Sequence, residues 1–144
     1  ICSKYFIEKG YDVDAFDASY EMCKRASNYT GINVEHKEFS TFSPDKKYDG
    51  IYARNSLLHV PRDEFKDAID SMTVLLKPNG ILWGTIKAGN GEQRDNKNRL
   101  FNYYCIDEAS KILSLAKNTS IVNIQQYGQE GDSSVIEFIL RKDA

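Results

Sequence analysis

Segments of helical and strand periodicity alternate along this chain. That alternation restricts it to an α/β architecture, with strands sharing a sheet and helices covering both of its faces. Residues 1–9 read as the end of a helix with Cys2, Tyr5 and Phe6 on one side and Gly10 as its stop. Tyr11 to Phe16 is a short strand closed by Asp17. Ser19 is placed to cap a helix reaching Tyr29, whose apolar positions Met22, Cys23, Ala26 and Tyr29 recur at steps of three and four. Asn33 to Phe39 gives a second strand, Ser43-Pro44-Asp45 a polar turn, and Tyr48 to Ala53 a third, less polar strand expected at the centre of the sheet. Pro61 stands where the first turn of a helix tolerates it, and Asp63 and Glu64 follow near the positive end. That helix carries Phe65, Ala68, Ile69, Met72, Leu75 and Leu76 as one stripe. Lys77-Pro78-Asn79-Gly80 is a stop and turn into a strand from Ile81 to Lys87.

The C-terminal part continues the alternation. Residues 88–99, with Gly89, Gly91 and many charged and amide side chains, read as a flexible surface loop, and loops of that length tend to be functional. A helix from Asp107 to Lys117 buries Ala109, Ile112, Leu113 and Ala116. Ser120 to Gln126 and Ser134 to Leu140, joined through Gly128 to Asp132, form an antiparallel hairpin. No repeat or low-complexity linker interrupts the chain, so residues 1–144 are expected to be a single domain.

Charge and composition narrow the function classes. The net charge of −2 arises from mixed charges with no basic block, so no nucleic-acid partner is indicated. The apolar run Ile136 to Leu140 is too short for a bilayer, and Lys4, Glu8 and Lys9 interrupt the only stretch resembling a leader. Cys2, Cys23 and Cys105 are an odd set without CxxC spacing, which fits free thiols in a reduced, cytoplasmic setting and gives no metal site. Gly89-Asn90-Gly91 lacks the third glycine of a dinucleotide fingerprint and opens no βαβ unit.

Asp17 is the most informative residue. A carboxylate at the carboxyl end of a strand, just before a helix, can accept both ribose hydroxyls of a nucleotide. Asp17 and Ser19 can equally serve as caps of the following helix, and both readings stay open. The string Gly10-Tyr11-Asp12-Val13-Asp14-Ala15-Phe16-Asp17-Ala18-Ser19 resembles the second motif of class I S-adenosylmethionine-dependent methyltransferases. Tyr48-Asp49-Gly50-Ile51-Tyr52-Ala53, then Ser56-Leu57-Leu58-His59-Val60-Pro61, is similar to their fourth strand and the segment after it. Leu75-Leu76-Lys77-Pro78-Asn79-Gly80-Ile81-Leu82 is similar to the helix-turn-strand that follows, and the terminal hairpin suits their antiparallel sixth and seventh strands. With Arg99 and Phe101-Asn102-Tyr103-Tyr104, the chain looks closest to small bacterial enzymes related to tellurite-resistance methyltransferases.

The resemblance implies a Rossmann-like methyltransferase sheet, S-adenosylmethionine as cofactor, and methyl transfer to a small molecule or ion. Carried over by position, Asp17 holds the cofactor ribose, Ala18 packs near the adenine, and Glu38 and Phe39 border it. Ala53, Arg54 and Asn55 line the methionine end; His59, Arg99, Tyr103 and Tyr104 face the acceptor. The alternatives are core packing for Phe39, loop solvation for Arg54 and Asn55, and capping or packing for His59, against orienting or deprotonating the acceptor. Adjacent tyrosines usually split, one toward the core and one toward solvent. Methyl transfer asks for alignment more than for side-chain chemistry, since the sulfonium is already an activated donor.

The family's glycine-rich first motif is not found, and residues 1–10 resemble the helix that follows it. The missing strand belongs between those ending at Asp17 and Ala53, so two strand edges are expected to lack partners. Association through those edges into a homo-oligomer, and weak cofactor binding by these residues alone, are the expected consequences. A nicotinamide-dependent oxidoreductase is an alternative that Asp17 would also suit. An inactive remnant serving as a binding or assembly module is another, supported by the missing glycine loop.

Overall fold

The computed structural model describes residues 2–54, 57–128 and 134–144. The chain divides into two compact units, 1–44 and 45–144. The first contains α1 (Cys2–Glu8), β1 (Phe16–Asp17), α2 (Tyr20–Thr30) and β2 (Glu35–His36), with β1 and β2 paired in parallel. Ser19 caps α2 as expected, its hydroxyl accepting from the Met22 N–H at 3.3 Å. Gly31 ends the helix at φ 79°, a left-handed conformation that glycine adopts without a Cβ clash.

The strands here are two residues each, shorter than the Tyr11–Phe16 and Asn33–Phe39 segments suggest. A ladder with a single partner fixes few residues, and the flanking backbone falls outside it. The stripe on α2 is also narrower than its spacing implies: Cys23 is buried, but Met22 and Tyr29 are exposed. The Cys23 thiol donates to the carbonyls of Asp17 and Glu35, both at 3.3 Å, tying the helix to both strands. Phe16 stacks on Phe42 at 4.2 Å and meets Phe39 edge-on at 5.5 Å, forming a small aromatic cluster.

The second unit contains β3 (Tyr48–Ala53), a 3-10 turn at Leu57–His59, α3 (Arg62–Thr73), β4 (Leu76–Ala88), β5 (Gly91–Arg94), β6 (Leu100–Tyr104), α4 (Ile106–Ser114), β7 (Thr119–Tyr127) and β8 (Val135–Lys142). Its six strands form one sheet around β4. On one side β4 pairs with β8, antiparallel, and β8 with β7, the expected terminal hairpin. On the other side β3 runs parallel along Leu76–Gly84, and β6 then takes over in parallel at Lys87 and Ala88. β3 is therefore not central in its sheet: among the described residues it pairs with β4 alone.

The turn Lys77-Pro78-Asn79-Gly80 is present as a bulge within β4. Two steps along β3, from Tyr48 to Gly50, match five along β4, from Leu76 to Ile81. Residues 88–99 are not a structureless loop, because β5 pairs antiparallel with β6 across a turn at 95–99. All four residues of β5 are exposed, so no burial period marks them as a strand.

One face of the sheet forms the core. Leu82, Gly84 and Ile86 on β4 stand opposite Leu140, Phe138 and Ile136 on β8, and all six are buried. Phe65, Ala68, Ile69 and Met72 of α3 and Ala109 and Leu113 of α4 complete it. Gly84 lets the Phe138 ring lie against β4, since a Cβ there would meet the ring at 2.5 Å. On the opposite face the cross-strand pair Tyr52 and Trp83 stack at 4.3 Å. No helix among the described residues is long and apolar enough to cross a membrane.

Candidate functional site

The residues expected to hold a nucleotide fall partly in the first unit. Asp17 ends β1, and its Oδ1 accepts from the Ser19 N–H at 2.8 Å. The capping arrangement is therefore present, and among the described residues Oδ2 has no hydrogen-bond partner. A carboxylate oriented by one backbone N–H, with its second oxygen available, is suited to accept hydroxyls. Ala18 is exposed, and its carbonyl accepts from His36 Nε2 at 2.9 Å. Glu38 is exposed in a turn closed by Thr41 and Phe42, and Phe39 is half-buried against Phe16. The Cys23 thiol below has its pKa raised by burial and by the Asp17 carboxylate.

The remaining expected residues lie in the second unit. Ala53 is buried at the end of β3 and Arg54 is exposed beyond it, while Asn55 lies outside the described residues. His59 is exposed at the end of the 3-10 turn. Its Nδ1 donates to the Leu100 carbonyl at 2.7 Å, and its ring meets Phe101 edge-on at 4.8 Å. A carbonyl can only accept, so Nδ1 carries the proton and the neutral ring has its lone pair on Nε2.

Arg99 pairs with Asp95 at 2.7 Å within the hairpin turn and lies 5.5 Å from the Phe101 ring centre. Backbone and side-chain donors from Arg99, with the Lys97 N–H, hold the Asp95 carboxyl below its usual range. The two tyrosines split as expected. Tyr103 lines a cleft of about 300 Å³ with Phe101, Lys87 and Arg94. Tyr104 is fully buried on the other face of β6, where burial pushes its phenol up to about 12.

Several residues not singled out by sequence reasoning organise this region. Arg62, the first residue of α3, donates from Nη1 to the Tyr103 carbonyl at 2.6 Å, pairs with Glu108 of α4, and covers the Tyr104 ring at 4.4 Å. The bond to Glu108 raises the Arg62 pKa further, keeping its charge fixed. Glu92 of β5 accepts from the Arg62 N–H at 3.2 Å, placing a carboxylate at the positive end of α3. Arg62, Glu92, Asp63 and Arg94 line a second cleft of about 590 Å³. Asn102 is fully buried and donates from Nδ2 to the Val60 carbonyl. The available sequence signal was Asn102 itself, a polar residue between Leu100 and Tyr104 on one strand face. Among the described residues no group of three or more His, Cys, Asp or Glu is placed to hold a metal ion.

A mixed α/β sheet flanked by helices, with the β5–β6 hairpin at the carboxyl end of β4, matches the Rossmann-like methyltransferase fold. The profile of the family described as methyltransferase domain matches residues 1–80, and this chain belongs to that family. A search of curated protein sequences gives no significant match.

Solved structures are similar across nearly the whole chain. The 1,6-didemethyltoxoflavin-N1-methyltransferase of Burkholderia thailandensis, determined with 1,6-didemethyltoxoflavin and S-adenosylhomocysteine, is 20% identical with a TM-score of 0.77. That alignment covers 97% of this chain and 65% of the Burkholderia enzyme, so this chain spans just under two thirds of that protein. An S-adenosylmethionine-dependent methyltransferase of Methanosarcina mazei is 16% identical at TM-score 0.77, covering 96% of this chain and 85% of the other. The [4+2]-cyclase SpnF is 16% identical at TM-score 0.70, covering 97% and 70%. At such identities the likeness defines the fold, and the cyclase among these neighbours illustrates that one fold hosts different reactions.

Proposed function

We propose that this chain is part of an enzyme that transfers a methyl group from S-adenosylmethionine to a small-molecule or ion acceptor. Membership of the methyltransferase domain family carries this reading. Asp17 fits the cofactor on its geometry, with one carboxylate oxygen oriented by Ser19 and the other available to a ribose hydroxyl. Ala18, Glu38 and Phe39 of the same unit are then the further candidates toward the adenine, as the family resemblance implies. The cofactor supplies an activated methyl group, so the chain's own task is to orient the acceptor and exclude water.

His59 is the residue we assign to the acceptor. With its proton on Nδ1 it presents Nε2 as an acceptor of a hydrogen bond or of a proton. Phe101 meets the imidazole edge-on, and the Arg99 guanidinium lies against that same Phe101 ring, so an aromatic surface and a cation stand close to this position. The 1,6-didemethyltoxoflavin bound in the Burkholderia neighbour is a precedent for such an acceptor.

Calorimetric titration with S-adenosylhomocysteine and, separately, NAD tests the cofactor. It is run on residues 1–144 and on any longer natural product that contains them. Binding of S-adenosylhomocysteine in preference to NAD is expected, and Asp17→Ala should weaken it by about 1–3 kcal/mol. Preference for NAD, or full affinity in Asp17→Ala, would overturn the assignment. His59→Ala should lower turnover while leaving cofactor affinity intact.

A further inference from the structure

The segment between β3 and α3, with the first residue of α3, is attached to β6 by a row of side-chain bonds to backbone. His59 donates to the carbonyl of Leu100, Asn102 donates to the carbonyl of Val60, and Arg62 donates to the carbonyl of Tyr103. The donors alternate between the two segments, so neither can slide along the other without breaking several bonds. The central link is the least expected. Asn102 is fully buried, and its Oδ1 has no hydrogen-bond partner among the described residues. A buried, unpaired amide oxygen is costly, and an apolar side chain of the same shape would avoid that cost. The Nδ2 bond to Val60 is what an apolar side chain cannot supply.

We propose that Asn102 is a positioning residue for His59. By holding Val60 against β6 it seats the neighbouring imidazole on the Leu100 carbonyl, fixing the proton on Nδ1 and presenting Nε2 outward. The value of that arrangement rests on His59 serving the acceptor; the arrangement itself does not. The chain contains its own reference, because His36 bonds the Ala18 carbonyl through Nε2. The only two histidines of the chain are therefore held as opposite tautomers.

Ring nitrogen chemical shifts, measured by NMR on labelled protein above the histidine pKa and without any ligand, read both tautomers directly. His59 should show a protonated Nδ1 and an unprotonated Nε2, and His36 the reverse, with His36→Gln giving the assignment. In Asn102→Leu, which keeps the side-chain shape, the His59 signals should move to the averaged values of a free imidazole while His36 is unchanged. Asn102→Ser makes the same test if the leucine variant does not fold, because its hydroxyl is too short to reach Val60. A wild-type His59 protonated on Nε2, or a folded variant of Asn102 with His59 still locked, would overturn the proposal. Turnover is a separate readout: a locked His59 whose removal leaves turnover intact would defeat the acceptor role and leave the positioning role standing.

Discussion

The two units of this chain start from the same alternation of helix and strand and end with very different amounts of sheet. In residues 1–44 each strand has one partner and two paired residues, and Tyr5, Tyr11, Tyr20, Met22 and Tyr29 stand exposed. In residues 45–144 β4 has partners along both sides, and a row of side chains on its core face is fully buried. Propensity does not separate the units, since both contain helices with acidic residues in the first turn and aromatic residues in their strands. The number of neighbours does. A strand paired along both edges fixes more backbone and gives side chains on its core face a complete surround, so each buried residue of the second unit should carry more stability.

The sharpest way to break this comparison is to remove one ring from each unit. Phe138→Ala removes a fully buried ring seated against Gly84 and should cost about 3–5 kcal/mol. Phe16→Ala removes a half-buried ring stacked on Phe42, and its effect on the first unit should be about 1–2 kcal/mol. Urea unfolding followed by Trp83 fluorescence reads the first variant, and circular dichroism at the helical band reads the second. Equal losses would show that the partner count is not what separates the units.

Tyr104 sharpens the comparison through pH. Its hydroxyl is buried without a hydrogen-bond partner among the described residues, and its phenol is pushed up to about 12 from 10.0. The folded state then holds its proton where the unfolded chain has released it. The associated stability is complete below pH 10 and is lost as pH rises toward 12, at a limiting slope of about 1.4 kcal/mol per unit. Tyr104→Phe should match or slightly exceed wild type at pH 7 and fall less steeply above pH 10. Parallel profiles for wild type and Tyr104→Phe would mean that the hydroxyl reaches water or a partner.

Ser19 addresses the local side of the comparison, with a smaller effect. α2 has its cap hydroxyl bonded to Met22, whereas α3 starts at Pro61 with no side-chain cap bond and relies on its buried face. Ser19→Ala should cost about 1 kcal/mol, seen as reduced helicity of the first unit. Pro61→Ala should change α3 little. The reverse ranking would show that packing, not capping, holds α2.

These contrasts also explain what was legible in the sequence. Helices α2 and α3, strand β3 and the terminal hairpin announce themselves through caps, apolar spacing and turn residues, all of which are local. The two-residue lengths of β1 and β2 were not legible, because a strand ends where its partners end. β5 was hidden for a related reason: Gly91–Arg94 is exposed on every residue and is a strand only because β6 lies beside it. Within the candidate site, Asp17 and His59 could be named from motif position. Their hydrogen bonds to Ser19 and Leu100 differ in kind: the first is two residues away, the second forty-one. Arg62, Glu92 and Asn102 matter through contacts of the second kind; only Asn102 left a trace in the sequence, a polar residue between Leu100 and Tyr104 on one strand face, and that trace does not name its partner.

The smallest expected effect is at Asn79, in the bulge where β4 first leaves and then rejoins β3. Its φ of 67° lies in the left-handed region, where a Cβ is disfavoured and glycine is at ease. Asparagine tolerates this region better than other side chains, so Asn79→Gly should gain at most a few tenths of a kcal/mol, while Asn79→Ala should lose up to about 1 kcal/mol. The adjacent Lys77–Asp49 pair spans the same turn at 3.3 Å, but Asp49 is almost fully exposed, so Lys77→Ala should change stability little. The order Gly, Asn, Ala at position 79, with Lys77→Ala close to wild type, would place the turn's stability in its backbone. If Lys77→Ala proved the most damaging of the three, the bulge would instead be held by charge, and its stability would fall with added salt.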